Sequence, residues 1–129
     1  MLKPRTVLNA CGLLMIIHAI MWIPISGQNV DTLAPNISDE ASILLDKTDE
    51  LVAFFNLLFA VMIIGSSFLE TNAARFMTKI VSICMGFFAA FALYHIIGYP
   101  EGHGPPIILP IIFGLLQIWS GYVGFLVAD

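Results

Sequence analysis

Residues 51–97 read LVAFFNLLFAVMIIGSSFLETNAARFMTKIVSICMGFFAAFALYHII. Residues 51–69 carry no charge, residues 70–75 form a short polar link, and residues 76–97 are apolar apart from Lys79 near their start. A helix rises about 1.5 Å per residue, so each apolar run is long enough to cross roughly 30 Å of hydrocarbon. The stretch therefore predicts a transmembrane helical hairpin, against which the rest of the chain packs.

The composition of the whole chain indicates a membrane protein. The 129 residues are 59% hydrophobic and only 11% charged, whereas soluble domains average about 25% charged residues. The formal net charge is −4 and the five basic residues are scattered. This excludes nucleic acid as a partner, because such a partner requires a basic surface that displaces counterions. We therefore predict an all-α polytopic membrane protein, a single transmembrane domain whose solvent is the lipid bilayer.

Two further apolar runs flank the hairpin and complete a predicted four-helix transmembrane bundle. A basic start followed by an apolar run also fits a signal peptide cleaved after Gly27, but the length of the first run and its polar residues Asn9 and His18 favour a retained helix. Ser38 is expected to cap a short helix that lies on the membrane surface. The predicted elements are helices at about residues 6–24, 51–69, 74–98 and 107–128, with an acidic outer loop at 26–50.

The distribution of basic residues predicts the orientation. Lys3 and Arg5 lie on the same side of the predicted bundle as Arg75 and Lys79, opposite the acidic loop. The positive-inside rule makes that side cytoplasmic, so both termini are expected there, in a bacterial inner membrane or an equivalent cell membrane. Glu70, Arg75 and Lys79 form the predicted cytoplasmic anchor. An ion pair between Glu70 and Arg75 is one reading of it; capture of an anionic headgroup by Arg75 and Lys79 is the other.

Polar side chains within lipid are costly, so they are candidate site residues by default. We expect them to line a shallow polar pocket that opens to the outer side. The two histidines in this set favour either a quinone or haem b site, or a structural role as one buried and one interfacial histidine. The predicted ligand-binding residues are His18, Asn56, His95, Gln117 and Glu50.

The central stretch resembles a known family. Glu50-Leu-Val, a long apolar helix, Asn72-Ala-Ala-Arg75 at a tight turn, and an apolar helix ending near His95 are similar in layout to the central hairpin of DoxX-like small four-helix membrane proteins. The likeness covers residues 50–97 and departs at Ala53-Phe-Phe, where that family often has glycines. It implies a four-helix bundle and an association with membrane redox or quinone-linked systems.

The motifs of common enzyme classes do not occur in the sequence. There is no paired nucleophile and base, no cluster of metal ligands and no phosphate-binding loop, and Cys11 and Cys84 lie in separate apolar runs. We therefore predict no catalytic residue and no metal, and a non-enzymatic accessory or assembly subunit bound to a membrane protein or to further copies of itself. Two alternatives stay open: a quinone- or haem-binding redox component, and a small homo-oligomeric transporter.

Overall fold

The structure of the chain is a computed structural model that describes residues 3–33, 36, 38–98 and 106–127, with the side chains of all of these except 22–33. This described part is all-α. Four of its helical segments are long and apolar enough to cross a membrane, so the predicted four-helix, multi-pass fold is confirmed. The elements are Pro4–Leu33 (α1), Asp39–Ser66 (α2), Thr71–Gly98 (α3) and Ile108–Gly121 (α4), which continues as a π-helical segment, Tyr122–Leu126.

The acidic segment differs most from its prediction. The first helix was expected to end at residue 24, but α1 continues through Pro24 to Leu33, and α2 begins at Asp39. Most of the predicted loop at 26–50 is therefore helical. Charged side chains on a helix leave its backbone hydrogen bonds intact, so the loss of hydrophobicity did not mark the end of the helix.

The predicted cap of α2 is confirmed, although the helix that it begins is longer than expected. Ser38 Oγ accepts the backbone N–H of Ala41 at 3.3 Å, and Asp39 and Glu40 lie in the first turn, where they stabilise the positive end of the helix dipole. The helix then runs without interruption into the apolar run instead of lying on the membrane surface. Its 28 residues span about 42 Å, which exceeds the roughly 30 Å of hydrocarbon.

Buried positions form one narrow stripe on α2, at alternating spacings of three and four residues. Ala53, Asn56, Ala60 and Ile63 are buried, whereas Phe55 is 59% exposed. This is the spacing of coiled-coil-like packing. Small buried side chains let helix backbones approach closely. This favours helix association in lipid, where the hydrophobic effect does not drive helices together.

The contacts of the chain group into two compact units. One unit is Gly12–Met62; the other combines Met1–Cys11 with Ile63–Asp129. The first unit holds most of α1 and α2. The second holds α3, α4 and the tight turn before α3, in which the N–H of Ser67 bonds to the carbonyl of Ile64 at 2.9 Å. The predicted second turn, at 99–105, lies outside the described residues.

Candidate functional site

Helices α3 and α4 pack antiparallel through small and polar side chains. Ser82 Oγ donates a hydrogen bond to the backbone carbonyl of Gln117 at 2.9 Å. A Cβ atom added at Gly121 would lie 2.8 Å from Ser82 Oγ, and one added at Gly86 would lie 2.7 Å from Gln117 Nε2. A side chain at Gly121 would therefore meet Ser82, whereas one at Gly86 would meet only the flexible end of the Gln117 side chain. The serine hydroxyl links the two helices.

The same register continues to the π-helical end of α4. A Cβ atom added at Gly124 would lie 3.0 Å from the backbone nitrogen of Lys79, and Lys79 Nζ lies 5.3 Å from the centroid of the Phe125 ring. This is within the range of a cation–π interaction. The lysine stem thus follows α4 while its charge sits over an aromatic ring. π-Helical turns are rare and occur mostly as single turns; this one places Val123 and Gly124 among the buried residues.

Within the predicted cytoplasmic anchor, Lys79 makes the cation–π contact with Phe125. Glu70 is exposed, and its backbone carbonyl accepts the N–H of Ala74 at 2.8 Å. Arg75 is half-buried in the first turns of α3. An ion pair between Glu70 and Arg75, and headgroup capture by Arg75 and Lys79, stay predictions.

Gln117 is exposed and lies in the middle of an apolar span. Its carboxamide sits over Gly86 and makes no hydrogen bond to any residue that the structure describes. Large apolar side chains dominate the exposed surface of these two helices: Ile83 is 54% exposed, Phe87 73% and Ile118 69%. An amide left without a hydrogen bond in an apolar medium costs about 1–3 kcal/mol or more, so this position favours contact with a further polar group.

A second polar feature runs along the inward face of α2. Ser42, Asp46 and Asp49 are half-buried and Asn56 is buried, with 8% of its surface exposed. These residues extend the α2 stripe, with its spacing of three and four residues, from Ala53 back toward the start of the helix. The buried stripe is therefore polar in its first half and apolar or small in its second.

Glu50 does not belong to this face. It is exposed and forms an ion pair with Lys47, with 2.8 Å between Nζ and Oε2. The inward carboxylates of α2 are Asp46 and Asp49, which the sequence analysis did not select. Asp49 lies seven residues before Asn56 and Asp46 lies ten residues before it. Both positions follow from Asn56, because the buried face of a packed helix repeats at alternating spacings of three and four residues.

The remaining predicted site residues do not share one level. His95 packs edge-on against Phe91, with 4.2 Å between ring centroids, and against Tyr94 at 5.4 Å. Gln117 faces Gly86, which lies roughly nine residues before His95 on α3 and so about 13 Å away along the axis. A shallow pocket lined by both residues stays a prediction.

His18 lies half-buried on α1, in the unit that also contains Asn56. It is about 22 Å from the end of α1 at Leu33, and Asn56 is about 26 Å from the start of α2 at Asp39. Their similar depth in the membrane stays a prediction. His95 belongs to the other unit, and the quinone and haem b sites stay predictions.

Comparison of the chain with known protein families, with curated proteins and with solved structures finds no match. The likeness of residues 50–97 to DoxX-like proteins therefore stays a prediction. In the described part of the chain, Gln117 and the inward face of α2 are two places where polar groups lie in an apolar setting.

Proposed function

We propose that this protein is a non-enzymatic accessory or assembly subunit that binds a transmembrane helix of another membrane protein along the exposed surface of α3 and α4. The observation that carries the proposal is the exposed carboxamide of Gln117, which has no hydrogen bond to the described residues. The amide has both donors and an acceptor. A polar side chain or a backbone carbonyl on a facing helix would satisfy it.

The surroundings of Gln117 suit a helix as the occupant. Gly114 on the same helix has no atom within 4 Å of an added Cβ, so the surface beside the amide is open. Glycines of this kind let a facing helix come close, and one interhelical hydrogen bond in lipid contributes about 0.6–2 kcal/mol. Gln117 thus offers one directed bond within an apolar contact surface.

Substitution of Gln117 tests the proposal. A photo-reactive phenylalanine analogue in place of Phe87, which is 73% exposed on α3, is expected to form an adduct with a partner protein in intact membranes. Gln117→Leu should weaken that adduct about 3- to 30-fold, the factor that corresponds to about 0.6–2 kcal/mol.

Two controls accompany the measurement. Ile118→Ala changes the neighbouring exposed residue without removing a hydrogen bond, so it should leave the adduct largely intact. The same analogue in place of Phe55, which is 59% exposed on α2, should give adducts with lipid alone. An adduct insensitive to Gln117→Leu, or one at twice the mass of the chain, would show that no different partner binds through this amide.

The proposed setting is a bacterial inner membrane or an equivalent cell membrane, with both termini cytoplasmic. The support is the position of Lys3, Arg5, Arg75 and Lys79 on one side of the four spans, as the positive-inside rule requires. A relation to DoxX-like proteins, with a quinone- or haem-linked role, is a further proposal that rests on the layout of residues 50–97.

A second candidate function, a small transporter, is favoured by the polar inward face of α2. Ionisable residues that point inward from a membrane helix mark ion and substrate paths more often than they serve packing. This observation is independent of Gln117.

A further inference from the structure

Lys79 carries a charge inside the membrane span of α3. The 28 residues of α3 extend over about 42 Å, so a hydrocarbon core of roughly 30 Å centred on the helix begins about 6 Å from its start at Thr71. Lys79 lies eight residues after Thr71, about 12 Å along the axis. An ionisable residue at such a depth is costly and marks a functional position by default. Its charge therefore requires a counter-ion.

The ammonium group of Lys79 has no anionic partner among the described residues. It makes no ion pair and no hydrogen bond with any of them, and it contacts the ring of Phe125, whose centroid lies 5.3 Å from Nζ. An aromatic face attracts a cation without supplying an oxygen that accepts its hydrogen bonds. The N–H donors of the ammonium group therefore stay available for an anion that lies outside the described part of the chain.

The pair of Lys79 and Phe125 opens outward, toward lipid. Phe125 is 57% exposed, and half-buried Lys79 lies against Gly124, where an added Cβ atom would be 3.0 Å from Lys79 Cγ. The Cα–Cβ bond of a helical residue tilts toward the N-terminus of its helix, so the lysine stem leads its charge toward the membrane boundary at the start of α3. Phe125 belongs to the π-helical turn, a geometry that occurs frequently at functional sites.

We propose that Lys79 and the Phe125 ring bind the headgroup phosphate of an anionic phospholipid, at the end of the span where α3 begins. Phospholipids place their phosphate groups at that boundary, within reach of the lysine. A surplus of positive charge beside the bilayer favours anionic over zwitterionic lipid. In a chain of four spans, the described charged residues near this end are one acid, Glu70, and four bases, Lys3, Arg5, Arg75 and Lys79. The site does not depend on Gln117.

Fluorescence quenching by brominated lipids tests the site in the purified full-length chain. The reporter is Phe125→Trp, which keeps an aromatic face for the ammonium group, with Trp22 and Trp119 replaced by phenylalanine. In vesicles of phosphatidylglycerol and phosphatidylcholine, bromination of one lipid at a time gives their relative affinities at the reporter. Phosphatidylglycerol is expected to be preferred about fivefold, which corresponds to the roughly 1 kcal/mol that one cation contributes beside anionic lipid. A reporter at Phe87→Trp, an exposed position deeper in the span, should show a preference below about twofold.

Substitution of Lys79 identifies the group that binds the phosphate. Lys79→Gln removes the charge but keeps a Cγ atom against Gly124, and it should reduce the preference at the Phe125→Trp reporter to below about twofold, whereas Lys79→Arg should retain it. Lys3→Gln makes the same charge change at an exposed position and should leave the preference above about threefold, because exposed charges are screened. Equal affinity for the two lipids would show that the counter-ion comes from water or from a carboxylate of a partner protein. A preference unchanged by Lys79→Gln would show a general surface effect, and either result overturns the proposal.

Discussion

Replacing Gly124 with valine is expected to separate the end of α4 from α3 and to lower the free energy of unfolding by about 1–3 kcal/mol. The reason is the close approach of the two backbones at this point. A Cβ atom at Gly124 would lie 3.0 Å from both the backbone nitrogen and Cγ of Lys79. The backbone of α3 cannot move aside as a flexible side chain would, so the helices themselves have to shift, and the contact between Lys79 and Phe125 is lost with them.

Gly114→Val is the matched control for this substitution. Gly114 lies on the same helix, and a Cβ atom added there meets no atom within 4 Å, so the change in stability should stay within about 0.5 kcal/mol. Unfolding of both variants in mixed micelles, followed by the loss of helical circular dichroism, gives the comparison. Equal stability of the two variants would mean that α3 and α4 do not approach each other at Gly124.

Met85→Ala is the second substitution with a large expected effect. Met85 is fully buried on α3, and its removal leaves a cavity where neighbouring atoms lose their dispersion contacts. In a soluble core such a change costs about 2–5 kcal/mol. Here we expect about 1–3 kcal/mol, because the methionine side chain stays in apolar surroundings when the helices separate in lipid or detergent.

The control for Met85 is Met62→Ala on α2. Met62 is 65% exposed, so its truncation leaves no cavity between packed helices. The free energy of unfolding should therefore change by less than about 0.5 kcal/mol. The same unfolding experiment measures both variants. A larger loss for Met62→Ala than for Met85→Ala would reverse the assignment of inward and outward faces.

The two helices joined by the link near residues 66–71 were predictable because two physical signals coincide there. In lipid, the backbone N–H and C=O groups of a long uncharged run must form their hydrogen bonds within a helix. The charged link between the two runs cannot enter the hydrocarbon. The observed turn falls between Ser66 and Thr71, within a few residues of its predicted place. The helical extensions of α1 and α2 were missed because hydrophobicity marks the membrane boundary, whereas backbone hydrogen bonding continues beyond it.

The site could be predicted only in part, because depth along a helix follows from sequence counting and rotation about its axis does not. Asn56 was expected to face inward and is buried, but Glu50, at one end of the same helix, pairs outward with Lys47. The register of α3 against α4 depends on the positions of Gly86, Gly121 and Gly124. That register, which separates Gln117 from His95, emerges only when the two helices are packed together.

The proposed partner surface requires a chain that crosses the bilayer four times. A pair of matched substitutions tests this most directly: Asn36→Cys, between α1 and α2, and Asn72→Cys, in the first turn of α3, each in a chain with Cys11 and Cys84 replaced by alanine. A membrane-impermeant maleimide added to intact cells is expected to label Asn36→Cys at once and Asn72→Cys only after the membrane is permeabilised. Labelling of both thiols from the same side of the intact membrane would contradict the account.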